Sequence, residues 1–97
     1  MRFEFDPNKD RFNRDKHGLS LDLAERLEWD QALFWIDARQ DYGETRVLAL
    51  ASSAGTLYCI AFVDRADVRR IISLRRANRR EVKRYVQALE EETDPDA

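Results

Sequence analysis

Residues 57–63 read Leu-Tyr-Cys-Ile-Ala-Phe-Val and are apolar on both faces that a strand would present. A run this short is below ordinary helix length and fits a strand buried on both sides. Ser52-Ser53-Ala54-Gly55 precedes it and Asp64-Arg65-Ala66-Asp67 follows it. Both are turn segments, so the chain reverses direction on either side of this strand. Residues 45–51 and 68–74 supply the flanking strands, and an antiparallel meander with 57–63 at its centre is the predicted frame.

The remaining elements are read outward from that frame. Phe3-Glu4-Phe5 alternates like a short strand. Asp6-Pro7 is an N-cap followed by proline at the first helical position, and the helix runs to about His17, with Gly18 at its C-terminal cap. Its one large apolar residue is Phe12, which predicts a surface helix. Ser20 caps a second helix through the shared face of Leu23, Ala24 and Leu27. Residues 32–38 form a strand, with Phe34 and Ile36 on one side and Leu33 and Trp35 on the other. Asp41-Tyr42-Gly43-Glu44 is a turn.

Asn78 and Glu81 make a capping-box pair that opens the last helix. Val82, Tyr85, Val86 and Leu89 form its apolar stripe, which predicts packing onto the sheet. The fold class is α+β: a small antiparallel sheet of about four strands plus a short N-terminal strand, with two N-terminal helices and one C-terminal helix. At 97 residues this is one domain, residues 1–90, followed by an acidic tail, residues 91–97.

Charge is distributed very unevenly. Between Arg65 and Arg84 lie nine Lys/Arg and two acids, +7 in formal charge, within a chain of net charge −2. Such a cluster in an acidic protein points to phosphate recognition or to an acidic partner. Strand alternation over this segment puts Arg69, Ile71, Ser73 and Arg75 on one face and Arg70, Ile72, Leu74 and Arg76 on the other. The strand end also meets the N-terminus of the last helix, whose free N–H groups favour an anion. These features predict a phosphate seat near Arg75, Arg76, Asn78 and Arg79, with Lys83 on the same helix. Solvation of an exposed face is the competing explanation of the charge run.

Other chemistries have little support. One cysteine, Cys59, allows no internal disulfide and lies in mid-strand as a core residue. A single His and a single Cys make no zinc site, no glycine-rich phosphate loop exists, and no cofactor or metal is expected. No apolar run is long enough to span a bilayer, and the charged N-terminus lacks a signal-peptide pattern, so the expected location is the cytoplasm. His17 is the only histidine and the natural candidate for proton transfer, although a histidine there also suits a helix C-terminus. Glu81 and Tyr85 share a helix face and could form an acid–base pair; a cap and a core residue are the plainer roles.

Several segments together resemble BrnT-type toxins, small RelE-like ribonucleases of bacterial type II toxin–antitoxin systems. They are Phe3-Glu4-Phe5-Asp6-Pro7 with Lys9 and Asn13, Lys16-His17-Gly18-Leu19-Ser20, and Asp41-Tyr42-Gly43-Glu44-Thr45-Arg46. The series ends with Arg70-Ile71-Ile72-Ser73-Leu74-Arg75-Arg76-Ala77, then Arg79-Arg80-Glu81 and Tyr85. Where many relatives carry Tyr-Thr before the arginine at position 65, this chain has Phe62-Val63-Asp64.

The resemblance implies metal-independent RNA cleavage that inhibits translation, and neutralisation by a ribbon-helix-helix antitoxin. It implies roles for His17, Arg46, Arg65, Arg70, Ser73, Arg75, Arg76 and Tyr85. In the mechanism that follows, a 2′-hydroxyl attacks the adjacent phosphate, His17 is the base with Glu81 or Tyr85 as fallback, and Arg70, Arg75 and Arg76 stabilise the phosphorane. Two other classes stand beside it. One is a non-catalytic module whose Arg-rich face binds nucleic acid or an acidic protein; the other is a structural or chaperone-like subunit.

Overall fold

The computed structural model describes residues 1–39, 41 and 43–93. The expectations for Tyr42 and for residues 94–97 lie outside these. The elements are β1 (Arg2–Glu4), α1 (Pro7–His17), 3₁₀ segments at Leu21–Arg26 and Trp29–Gln31, β2 (Leu33–Ile36), β3 (Val47–Ser53), β4 (Thr56–Arg65), β5 (Val68–Arg76) and α2 (Arg79–Thr93). The strands form one sheet in the order β1-β5-β4-β3-β2. Strands β2 to β5 are the antiparallel meander, with the doubly apolar strand β4 inside it. β1 adds to the free edge of β5 in parallel. The molecule is therefore α+β.

Local chemistry sets the helix ends. The Asp6 carboxylate accepts from the Asn8 N–H at 2.8 Å, and Gly18 takes the left-handed conformation with its N–H on the Arg14 carbonyl. At α2 the reciprocal pair forms: the Asn78 N–H donates to Glu81 at 2.8 Å and the Glu81 N–H donates to Asn78 at 2.9 Å. The helix then continues to Thr93, into the segment expected to be tail.

The second expected α-helix is instead a 3₁₀ segment, Leu21–Arg26. Leu21, Ala24 and Leu27, spaced by three, are all buried, a spacing that matches a helix of three residues per turn. The apolar stripe of α2 also behaves differently from expectation. Only Tyr85 is buried, over Leu50 and Cys59, whereas Val82, Val86 and Leu89 stay 41%, 47% and 37% exposed.

A β-bulge decides the faces of β5. Ala61 pairs with Ser73, but Phe62 pairs with Ile71, leaving Ile72 as an extra residue. An extra residue reverses strand parity beyond it. Ile71 and Leu74 therefore share one face, in a core with Leu21, Ala24, Leu27, Ala49, Ala51, Ile60 and Phe62. Arg70, Ser73 and Arg75 share the other, opposite Val63, Ala61 and Cys59. This corrects the simple alternation, which separated Arg70 from Ser73 and Arg75 and joined Arg69 to them.

Helix α1 flanks β5 beyond the end of β1. Asn13 is 3% exposed and bonds both backbone groups of Leu74: it accepts from the N–H at 3.0 Å and donates to the carbonyl at 2.8 Å. It also donates to the Leu19 carbonyl at 2.8 Å. One side chain thus replaces a neighbouring strand just past the bulge. Asp10, buried on the same helix, accepts from Ser20 Oγ and the Leu21 N–H and holds the 3₁₀ segment in place.

Candidate active site

Between α1 and the Ser73–Arg75 face of the sheet lies a cleft of 650 Å³. α1 lines it with Asn8, Lys9, Phe12, Asn13, Lys16 and His17. The sheet side contributes Arg46, Leu48, Cys59, Ala61, Ile72, Ser73 and Arg75, and Arg39 closes it from the β2–β3 connection. Five of these residues are Lys or Arg and none is Asp or Glu. In a chain with more acids than bases, this concentrates positive charge in one concavity.

Arg75 is fixed from behind. Its guanidinium meets the Glu81 carboxylate through two bonds of 2.8 and 2.9 Å. Glu81 is in turn held by the Asn78 N–H, so the capping box of α2 also orients a cleft cation. The Arg75 guanidinium holds the Glu81 carboxyl below its ordinary value, with the Asn78 hydrogen bond adding to the effect. An ionised, doubly occupied carboxylate is a poor proton acceptor. Of the expected seat near Arg75, Arg76, Asn78 and Arg79, the Asn78 N–H and the Arg75 guanidinium both already bond the Glu81 carboxylate.

His17 ends α1 at the cleft. Partial burial lowers its pKa, and the positive charges of Lys16 and Arg75 lower it further. Both effects favour the neutral imidazole, the form needed to accept a proton. Cys59 lies beneath Arg75, and burial pushes its thiol up to about 11. It is not a thiolate nucleophile at neutral pH.

The structure brings His17, Arg46, Ser73 and Arg75 together at the cleft. Arg70 is on the same sheet face, engaged with Glu4 at 3.0 Å. Arg76 lies opposite Tyr58, on the other face. Arg65 sits at the far end of β4, held by Glu44 at 2.8 Å. Arg79 and Lys83 are exposed on α2 and do not line the cleft. Tyr85 donates its hydroxyl to the Gln31 carbonyl at 2.8 Å, and burial raises its pKa. Only one of the cleft's five cations, Arg75 of β5, comes from the Arg65–Arg84 segment; Lys9 and Lys16 come from α1, and Arg39 and Arg46 from the β2–β3 connection.

Arg69 shows how far that segment diverges. It is 13% exposed on the opposite face, paired with Asp64 at 2.8 Å. Its guanidinium carbon lies 4.6 Å from the Trp29 ring centre and 4.2 Å from that of Phe62. Lys9, Lys16 and Arg39 line the cleft without having stood out as site residues. They are dispersed in sequence, two on α1 and one in the β2–β3 connection.

No membrane-crossing helix exists among the described residues. No curated protein matches the chain. The family model described as "Ribonuclease toxin, BrnT, of type II toxin-antitoxin system" matches residues 5–81, from the entry to α1 through the Arg75–Glu81 pair. That span contains every residue lining the cleft. The chain belongs to the BrnT family of ribonuclease toxins of type II toxin–antitoxin systems.

Proposed function

We propose that the cleft binds one RNA phosphodiester and cleaves it without a metal ion, in a RelE-like fold. The observation that carries this reading is a cleft lined by five Lys/Arg and one histidine, with no Asp or Glu in the lining. His17 takes the proton from a 2′-hydroxyl, whose oxygen bonds to the adjacent phosphorus. The bond to the 5′-oxygen breaks, that oxygen takes a proton from water, and a 2′,3′-cyclic phosphate and a 5′-hydroxyl remain. Positive charge on the phosphorane oxygens comes from Arg75, Arg46 and Lys16, with Ser73 as a hydrogen-bond donor. Lys9 and Arg39 meet the flanking backbone.

Glu81 acts through Arg75, and Tyr85 holds α2 to the sheet. Arg65, Arg70, Arg76, Arg79 and Lys83 contribute at most to outlying phosphates in this reading. The inhibitor is a protein antitoxin, as for a type II system, and we assign it the ribbon-helix-helix class. The cellular outcome is arrested translation in the cytoplasm.

The deciding experiment incubates partner-free protein with single-stranded RNA in excess EDTA. Fragments ending in 2′,3′-cyclic phosphate, lost in His17→Ala and Arg75→Ala, are expected. Gel shifts without fragments would instead identify a binding module, and cleavage restored only by magnesium would remove the metal-free chemistry.

A further inference from the structure

Phe12 is the one large apolar residue of α1, and it is 66% exposed. Burial cannot account for it, because the helix docks through Asp10 and Asn13 instead. The ring lies on the cleft wall, among Asn8, Lys9 and Lys16. The Lys16 ammonium sits 5.8 Å from its centre. A protein-docking patch is normally a contiguous apolar area. Here a lone aromatic ring is surrounded by cations and amides. Among the described residues the other exposed large apolar side chains lie outside α1: Met1 ahead of β1, Phe34 and Ile36 on β2, and Val82, Val86 and Leu89 on α2. Aromatic rings interleaved with cations along a groove are the way proteins hold single-stranded nucleic acid, the ring stacking on a base while the cations follow the phosphates.

We propose that Phe12 is the stacking platform for an unpaired nucleobase next to the scissile phosphate, so that single-stranded RNA is the substrate class of this cleft. The inference rests on the RNA-cleaving reading above and adds a specificity residue to it. Stacking at this ring would splay the base from its neighbour and expose the linkage to Arg75 and His17. A base locked in a duplex cannot reach the ring without unpairing.

The test compares Phe12→Ala, Phe12→Leu and Phe12→Trp with the unaltered protein on one single-stranded oligoribonucleotide. Loss of one base stack lowers kcat/KM by roughly tenfold to a hundredfold. Phe12→Ala and Phe12→Leu are both expected to show that loss, mostly in KM, because an aliphatic side chain keeps the apolar area and lacks the π-face. Phe12→Trp is expected to retain activity, and its added fluorescence is quenched by single-stranded RNA and unaffected by duplex. An oligonucleotide lacking the base beside the cleaved linkage lowers the rate of the unaltered protein equally, with no further loss in Phe12→Ala.

Equal kcat/KM for Phe12→Ala and the unaltered protein overturns the proposal, as does a Leu variant as active as the original. So does a loss confined to antitoxin binding, which makes Phe12 a protein contact. If nothing is cleaved in EDTA but Phe12→Trp is quenched by RNA, stacking stands and the cleavage reading falls; no quench and no cleavage removes both.

Discussion

Arg69 and Arg75 lie on the same strand and each has a carboxylate partner, yet they occupy opposite chemical environments. Arg69 faces the aromatic side, 13% exposed, between Trp29 and Phe62 and against Asp64. Arg75 faces the cleft, 38% exposed, with Glu81 behind it. The bulge at Ile72 lies between them. Formal charge along a strand therefore says little about where a phosphate will bind. Face and partner decide: one guanidinium is consumed by packing, and the other is braced and left open.

The sharpest way to break this contrast is to delete each guanidinium in turn. Arg75→Ala removes a charge-stabilising contact, expected to lower the cleavage rate by about 100- to 1,000-fold. Its fold survives, because Asn78 still caps α2 with Glu81. Arg69→Ala has the reverse profile: stability falls, by roughly 1–2 kcal/mol from lost cation–π contacts with Trp29 and Phe62, while cleavage per folded molecule stays near the original. Thermal melts beside single-turnover rates check both. If Arg69→Ala disables cleavage in a fully folded sample, the division between faces is wrong.

Asn13 sharpens the comparison from the other side, since it joins α1 to β5 at Leu74. Asn13→Ala strands the buried N–H and carbonyl of Leu74, a destabilisation of about 2–6 kcal/mol at one to three per orphaned group. Denaturant melts measure it. A loss under 1 kcal/mol would mean that water replaces the amide and that α1 is not locked by this contact.

How much of this was legible in the sequence varies with range. The caps at Asp6, Gly18, Asn78 and Glu81 were readable because their partners lie within a few residues. The doubly apolar strand β4 was readable because seven residues bracketed by turns leave few alternatives. The bulge was not, because an extra residue on β5 is defined by pairing with β4; the adjacent Ile71 and Ile72, with Leu74 beyond, are its only local trace. Parity was consequently misassigned. At the cleft, His17, Arg46, Ser73 and Arg75 were named from the sequence, whereas Arg65, Arg76, Arg79 and Lys83 point elsewhere. The burial of Asp10 and Asn13 was not legible, because polarity alone does not reveal that a buried backbone group awaits the side chain.

Glu81→Gln tests the brace behind Arg75. It weakens the ion pair and the capping box together, at about 1 kcal/mol for a lost cap contact. It also changes the acid dependence of stability. The folded pKa of Glu81 lies below 4.5 because of Arg75, so its contribution is present above 4.5 and is lost as pH falls through the lowered value. In the Gln variant that part of the acid sensitivity disappears. Melts between pH 7 and the acid range distinguish the two; identical profiles would show that the pair adds nothing to the folded state.

The smallest effect concerns His17. Its pKa lies below 6.5, from partial burial first and then from Lys16 and Arg75. If it is the base, the acid limb of kcat/KM falls on the acid side of 6.5, because activity needs the neutral ring. Replacing Lys16 by alanine removes one of the charges that disfavour the imidazolium, so the limb shifts upward toward 6.5. Replacing Lys83, outside the cleft, leaves the limb in place even if binding weakens. The distinction matters because Lys16 also meets substrate in the proposed reading: a loss of binding lowers the whole profile, whereas a displaced limb reports the ring itself. A Lys16→Ala profile that is merely lower, with its limb unmoved, would assign the proton transfer to some group other than His17.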